Sequence, residues 1–146
     1  AVSTVAAFAV ISAFAETAGG EIRSFAGLAR RAPFLAFVML IALASLAGIP
    51  PLAGFMAKFA VFAAAIQAGY TVVAGFALLL SVISIYYYFQ VIRAMYVDEP
   101  VEPTPIVCGW GTQAALLLGV GGVILLGLLP WPLLRLAYTA ANFARF

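Results

Sequence analysis

The sequence predicts an all-α membrane protein, and three observations lead to this fold class. Of the 146 residues, 66% are hydrophobic and 8% are charged, whereas a soluble domain carries about 25% charged residues. The apolar runs are continuous and lack the alternation of barrel strands, so the spanning elements should be helices. The net charge of +2 is too small to indicate a nucleic-acid partner.

The first apolar run, residues 1–16, predicts a helix whose beginning is missing, because the chain starts inside the run without a methionine. Residues 17–33 form a polar link. Within it, Ile22, Phe25 and Leu28 recur at a spacing of three, which predicts a short amphipathic helix at the membrane surface. Glu16 is expected near the headgroups, with a buried carboxylate as the alternative.

The run of residues 34–69 is nearly twice as long as the ~20 residues that cross the hydrocarbon core. Pro50 and Pro51 interrupt it, since each proline lacks a backbone donor and pushes the preceding residue out of helical angles. We therefore expect one helix to end near Gly48 and another to begin just after Pro51. Two topologies remain open at this point: a tight hairpin of two spans, or one broken span with an extended middle.

Two further spans are predicted after this interrupted region, at about residues 70–96 and 113–129. An acidic, proline-bearing link at 97–112 separates them, because its composition cannot continue a helix. Trp110 and Trp131 bracket the last span, as aromatic residues at membrane interfaces do.

The distribution of arginine slightly favours the hairpin topology. With a hairpin, five of the six arginines share one side of the membrane; with one broken span, the division is four against two. Positive residues in links orient spans toward the side that carries more of them. The charge pattern alone leaves both topologies open.

Lys58 is the only lysine in the chain and follows the two prolines by about two turns. A lysine at the bilayer centre costs roughly 2.5–3.5 kcal/mol, which an apolar residue would avoid. Helical side chains lean toward the helix N-terminus, so the ammonium should point back to the carbonyls that end the preceding helix. We interpret Lys58 as a functional proton carrier. The alternative is a lysine that extends its ammonium to the interface.

A polar path could lie beside Lys58 on the next helix. Ser81 and Ser84 share one helix face and precede a run of tyrosines that includes Tyr86 and Tyr87. Hydroxyl groups both donate and accept hydrogen bonds, so they can hold water and relay protons. The competing interpretation is helix packing followed by an aromatic belt.

The remaining motifs indicate no bond-making chemistry in this chain. Residues 119–122 read Gly-Val-Gly-Gly, but they lie inside an apolar span with no strand before them, so close helix packing explains them better than nucleotide binding. The chain has no histidine and a single cysteine, Cys108, so we expect no metal site, no cofactor site and no internal disulfide.

The stretch from Leu46 to Pro51, followed by residues 54–59 (Gly-Phe-Met-Ala-Lys-Phe), resembles the signature of the antiporter-like membrane subunits of respiratory complex I. Residues 84–88 (Ser-Ile-Tyr-Tyr-Tyr) and the proline-flanked sequence 128–132 are most similar to the subunit called N, or subunit 2. The resemblance covers the whole chain, as the C-terminal third of a longer protein. Ala57 stands where the family usually has glycine, which narrows the room beside Lys58.

The resemblance implies about four transmembrane helices, one of them discontinuous at Pro50-Pro51, with the break formed by Gly48, Pro50, Pro51 and Gly54. It implies that links 17–33 and 97–112 are cytoplasmic and that Lys58 belongs to a buried proton relay. It also implies a multi-pass protein of the bacterial inner membrane that works among the other membrane subunits of NADH:quinone oxidoreductase. Flavin and iron–sulfur clusters are then expected in other subunits of the respiratory-chain complex, and none here.

Two other functions are compatible with these residues. The segment could be a structural scaffold that holds neighbouring subunits in the membrane arm. It could also belong to a related cation/proton antiporter or membrane-bound hydrogenase.

Overall fold

The computed structural model describes residues 1–15, 22–100 and 109–129, together with Trp131, Arg135 and Thr139. All regular structure in these ranges is helical, which confirms the predicted all-α class. The elements are α1 (Val2–Ala15), a 3-10 turn (Ile22–Phe25), α2 (Leu28–Arg31), α3 (Pro33–Ala47), α4 (Ala53–Gln67), α5 (Thr71–Tyr96) and α6 (Trp110–Leu128).

Two of these helices, α5 and α6, are long and apolar enough to cross a membrane. Helices α1, α3 and α4 are apolar but shorter. With 15 residues each, α3 and α4 are about 22 Å long at 1.5 Å per residue. The hydrocarbon core is about 30 Å thick, so neither helix crosses it alone.

Helix α3 ends at Ala47 and helix α4 begins at Ala53, as Gly48 and the two prolines predict. Gly48 caps α3 in the left-handed region, with φ of 91°, which glycine adopts without steric cost. Its N–H donates to the carbonyls of Ala44 and Ser45 at 3.1 and 3.0 Å, closing the last turn. The Pro50-Pro51 bond is cis, neither proline can donate a backbone hydrogen bond, and α4 begins at Ala53.

The main apolar core lies between α1, α3, α6 and the second half of α5. Val10, Leu35, Met95 and Leu116 are fully or almost fully buried in one cluster. Tyr88, Val91 and Ile92 of α5 pack against this cluster from its edge. Helix α4, by contrast, has no buried residue.

Helix α5 runs past both α3 and α4. In its first half, Ser81 contacts Lys58 of α4. In its second half, Met95 joins the same core cluster as the buried residues of α3. Near its end, the carbonyl of Ala94 accepts a hydrogen bond from Gly27 N–H, just ahead of α2 and α3, at 3.0 Å. Different halves of one continuous helix therefore contact α4 and α3.

The predicted short amphipathic helix in the link 17–33 falls on a segment whose described part is two short helical pieces. Residues 16–21, including Glu16, lie outside the described part, and the rest forms the 3-10 turn and the one-turn helix α2. Gly27 separates them with φ of 65°, and a Cβ there would lie 2.6 Å from the backbone nitrogen of Pro100. Phe25 and Leu28 are buried, whereas Ile22 is 52% exposed. The close approach of Gly27 to Pro100 separates the two helical pieces, and the amphipathic helix at the membrane surface stays a prediction.

The predicted link 97–112 extends too far at its end. Residues 101–108, with Cys108, lie outside the described part, but Trp110 to Thr112 already form the first turn of α6. Gly109 is extended, with φ of −61° and ψ of 152°, and serves as the N-cap. The prolines that break the link end at Pro105, so nothing prevents the helix from starting at Trp110.

Helix α6 touches its neighbours through glycine. A Cβ on Gly119 would lie 3.3 Å from Ala6 Cβ, and one on Gly122 would lie 3.3 Å from Val2 Cγ1, both in α1. A Cβ on Gly127 would lie 2.1 Å from the carbonyl oxygen of Pro51. Small residues let helix backbones approach closely, as in other membrane proteins. The end of α6 is thus pressed against the α3–α4 connection.

We expect Gly127→Ala to destabilise the protein by about 1–3 kcal/mol, the usual cost of forcing a group into a packed site. The added methyl would displace the backbone at Pro51. The midpoint of thermal unfolding of the intact protein in detergent measures this. Gly121→Ala is the matched control, because nothing lies within 4 Å of its Cβ position. Equal midpoints for the two variants would contradict the contact.

Candidate functional site

Lys58 lies in the second turn of α4, and its half-buried side chain extends back toward α3. A Cβ on Gly48 would lie 3.2 Å from Lys58 Cδ and 3.6 Å from its Nζ. The side chain therefore passes directly over the glycine that caps α3. This direction follows from the tilt of helical side chains toward the N-terminus.

The Lys58 ammonium joins three helices. Its Nζ donates to the carbonyl oxygen of Ala47, the last residue of α3, at 3.2 Å. It also donates to Ser81 Oγ of α5 at 2.5 Å. The last carbonyls of a helix lack intrahelical partners and carry the negative end of the helix dipole. The end of α3 therefore supplies the electrostatic partner of this cation.

The start of α4 is fixed against the end of α3 by a second set of contacts. Gly54 N–H donates to Ser45 Oγ at 3.0 Å. A Cβ on Gly54 would lie 1.7 Å from the carbonyl oxygen of Ser45, so the two backbones meet where only glycine fits. Ser45 Oγ also shares a 2.8 Å hydrogen bond with Ser3 Oγ of α1. Both serines are buried.

The structure brings one member of the predicted polar path to Lys58. Ser81 contacts the ammonium directly, whereas Ser84 Oγ donates to the carbonyl of Ser81 at 2.7 Å. Tyr86 and Tyr87 are 64% and 61% exposed. Their rings contact each other edge to face, with centroids 5.8 Å apart. With 3.6 residues per turn, both tyrosines lie on other faces of α5 than Ser81.

No role was predicted from the sequence for Ser45 or Ser3, whereas Tyr88 belongs to the tyrosine run of the predicted polar path. Ser45 is the only polar residue of α3, a signal that could have been noticed. Tyr88 follows Ser81 by seven residues, which is two helical turns, so it shares the Ser81 face and packs against the core. The partner of Ser45 depends on how α1 lies against α3, which no local pattern reveals. Of the predicted break residues, Gly48 and Gly54 make close contacts, while Pro50 and Pro51 are exposed.

The chemical groups at this site are an amine and a hydroxyl. Within the described ranges there is no group of three or more His, Cys, Asp or Glu side chains that could hold an ion. The Lys58 amine and the Ser81 hydroxyl are in direct contact, and a hydroxyl can accept one proton while donating another.

The fold and site define a helical membrane protein with a half-buried lysine at the junction of two short helices. The chain belongs to the NADH:quinone oxidoreductase/Mrp antiporter transmembrane family, whose model matches residues 1–84.

Curated relatives agree with this family. NADH-quinone oxidoreductase subunit N of Desulforamulus reducens is 42% identical over 141 residues, which cover 96% of this chain and 29% of that protein. Subunit N of Moorella thermoacetica is 41% identical over 137 residues, covering 92% of this chain and 29% of that protein. The resemblance to the antiporter-like subunit N is therefore confirmed. The chain spans less than a third of the length of these relatives.

Solved structures share the fold. A chain of respiratory complex I from Thermus thermophilus with bound aureothin matches with a TM-score of 0.77 and 32% identity, over 88% of this chain and 31% of that one. A chain of the Mrp complex from Dietzia sp. DQ12-45-1b matches with a TM-score of 0.84 and 24% identity, over 96% of this chain and 35% of that one. The second likeness establishes the fold alone.

We expect Ser81→Ala to destabilise the intact protein by about 1–2 kcal/mol, because the Lys58 ammonium loses a side-chain acceptor. Ser84→Ala is the matched control, since its hydroxyl bonds only the carbonyl of its own helix in the described contacts, and we expect a change within about 0.5 kcal/mol. Chemical denaturation of the purified protein compares them. A Ser84 variant as unstable as the Ser81 variant would argue against the special role of the Ser81 hydroxyl.

Proposed function

We propose that this chain is part of a proton-translocating membrane subunit of NADH:quinone oxidoreductase, and that Lys58 takes up and releases the proton. The observation that carries the proposal is the position of the ammonium between Ala47 O and Ser81 Oγ, at 3.2 and 2.5 Å. A cation at membrane depth costs several kcal/mol unless it is paired, and such residues mark ion and proton pathways. The relatives named subunit N support the assignment to this enzyme.

We propose further that α3 and α4 form one discontinuous span rather than a hairpin. Each helix is too short to cross the membrane alone. The first half of α5 contacts α4 through Ser81, and its second half packs with α3 through Met95. Contacts with successive halves of the same helix support an end-to-end arrangement of α3 and α4. Non-helical backbone at membrane depth requires cover by protein, and α6 provides it at Gly127.

The carbonyl end of α3 is the electrostatic partner of the Lys58 ammonium. A small displacement of α4 relative to α3 would lengthen or break this contact. Ser81 is the immediate exchange partner in this proposal. Ser84, Tyr86 and Tyr87 remain predicted members of a longer polar path.

The partners of this chain are the other membrane subunits of the complex and the lipid bilayer, in the bacterial inner membrane. Electrons pass through flavin and iron–sulfur clusters in other subunits, while this chain moves protons. Both predicted links, 17–33 and 97–112, are cytoplasmic in this proposal, and the close approach of Gly27 to Pro100 supports a common side for them.

A subunit of a cation/proton antiporter is the second candidate, favoured by the family match, whose description includes Mrp antiporters. Purification of the native complex separates the two functions. A subunit of NADH:quinone oxidoreductase should co-purify with NADH-oxidising activity, whereas an antiporter subunit should not.

In the intact complex, we expect Lys58→Met to abolish proton translocation through this subunit while assembly and NADH oxidation by an artificial electron acceptor persist. Lys58→Arg is the matched control, because guanidinium keeps the charge but does not release its proton in proteins. If proton exchange is required, the arginine variant should fail as the methionine variant does. Proton uptake and release in proteoliposomes measure the loss.

Two results would contradict the proposal in different ways. Full translocation in Lys58→Met would leave the segment as a scaffold of the membrane arm. Full translocation in Lys58→Arg, with loss in Lys58→Met, would mean that a fixed positive charge is needed and that Lys58 exchanges no proton.

A further inference from the structure

Ser45 has no part in the proton path described above, yet it is the most completely enclosed polar side chain near the junction. It is 0% exposed and the only polar residue of α3. A hydroxyl inside an apolar helix is tolerated when it is hydrogen-bonded. Ser45 has two such partners, Gly54 N–H and Ser3 Oγ, each on another helix.

The bond to Gly54 replaces a missing helix cap. The first N–H groups of a helix lack intrahelical partners and are commonly satisfied by a side-chain oxygen at the N-cap. The N-cap of α4 is Leu52, which has no such oxygen. Ser45 supplies the acceptor from α3 instead, at 3.0 Å. An unsatisfied buried N–H would cost about 1–3 kcal/mol.

The same contact determines where Lys58 lies. Gly54 and Lys58 are four residues apart, so they lie on the same face of α4, one turn from each other. The Gly54 backbone is pressed onto the Ser45 carbonyl at a distance that excludes a Cβ. The Lys58 ammonium reaches the Ala47 carbonyl, two residues beyond Ser45, at 3.2 Å. A shift of Gly54 away from Ser45 would therefore carry Lys58 away from Ala47.

We propose that Ser45 is a positioning residue for proton translocation: by capping α4 across the break, it holds the Lys58 ammonium on the Ala47 carbonyl. The functional part of this inference rests on the proposed role of Lys58. The geometric part, in which Ser45 sets the distance between Lys58 Nζ and Ala47 O, stands independently of that role.

The test compares Ser45→Ala with Ser3→Ala in the complete complex. Both changes remove a buried hydroxyl from the same hydrogen bond, but Ser3→Ala leaves the bond between Ser45 and Gly54 intact. Cryo-electron microscopy of each variant measures the distance from Lys58 Nζ to Ala47 O. Proton translocation per NADH oxidised measures the function, and a variant that merely reduced the amount of assembled complex would not change this ratio.

In Ser45→Ala we expect the Lys58–Ala47 distance to exceed hydrogen-bonding range, about 3.5 Å, and the proton-to-NADH ratio to fall. In Ser3→Ala both should match the unmodified complex. An unchanged distance in Ser45→Ala, or an equal fall of the ratio in both variants, would overturn the proposal.

Two further variants cover a failure of Ser45→Ala to assemble and a failure of the proposed function of Lys58. If Ser45→Ala does not assemble, Ser45→Cys preserves the approximate volume with a much weaker acceptor, and an unchanged ratio in it would also overturn the proposal. Lys58→Met separates the two claims. If translocation persists in Lys58→Met, the proposed function of Lys58 fails, while the distance measured in Ser45→Ala still decides the positioning role.

Discussion

The bond between the Lys58 ammonium and the Ala47 carbonyl is the interaction on which the rest of this structure depends. It joins the end of α3 to the second turn of α4 across five residues that form no helix. In lipid, such an interruption exposes carbonyl and N–H groups that water cannot satisfy. The ammonium meets one of these carbonyls. The cation and the carbonyl end of α3 thus stabilise each other.

The close contacts around the α3–α4 connection keep the bond between Lys58 and Ala47 in place. Gly54 brings α4 onto Ser45, and Gly127 brings α6 onto the Pro51 carbonyl. Small side chains are needed because the neighbouring backbones themselves must approach. Helix α5 passes the junction without interruption and contributes Ser81. The only lysine therefore lies where α3, α4 and α5 meet. A local displacement of α4 would move its amine relative to its partners on α3 and α5.

Local chemistry predicted a large part of this arrangement. The prolines and Gly48 predicted the ends of α3 and α4, and the tilt of helical side chains predicted the direction of Lys58. Contacts distant in sequence were beyond such reasoning: Ser45 with Gly54 and Ser3, and Gly27 with Pro100. In the link before α2, a spacing of three does not reveal the tertiary contact between Gly27 and Pro100. The arginine count favoured a hairpin by one residue only. Six arginines are too few to decide how the helices are oriented in the membrane.

The most direct test of the central claim is a high-resolution structure of the complete, unmodified complex in a lipid nanodisc. The account predicts α3 and α4 stacked as one interrupted span, with Lys58 Nζ at hydrocarbon depth and hydrogen-bonded to Ala47 O and Ser81 Oγ. It would be contradicted by a Lys58 nitrogen among the lipid headgroups, or by α3 and α4 side by side as two antiparallel spans.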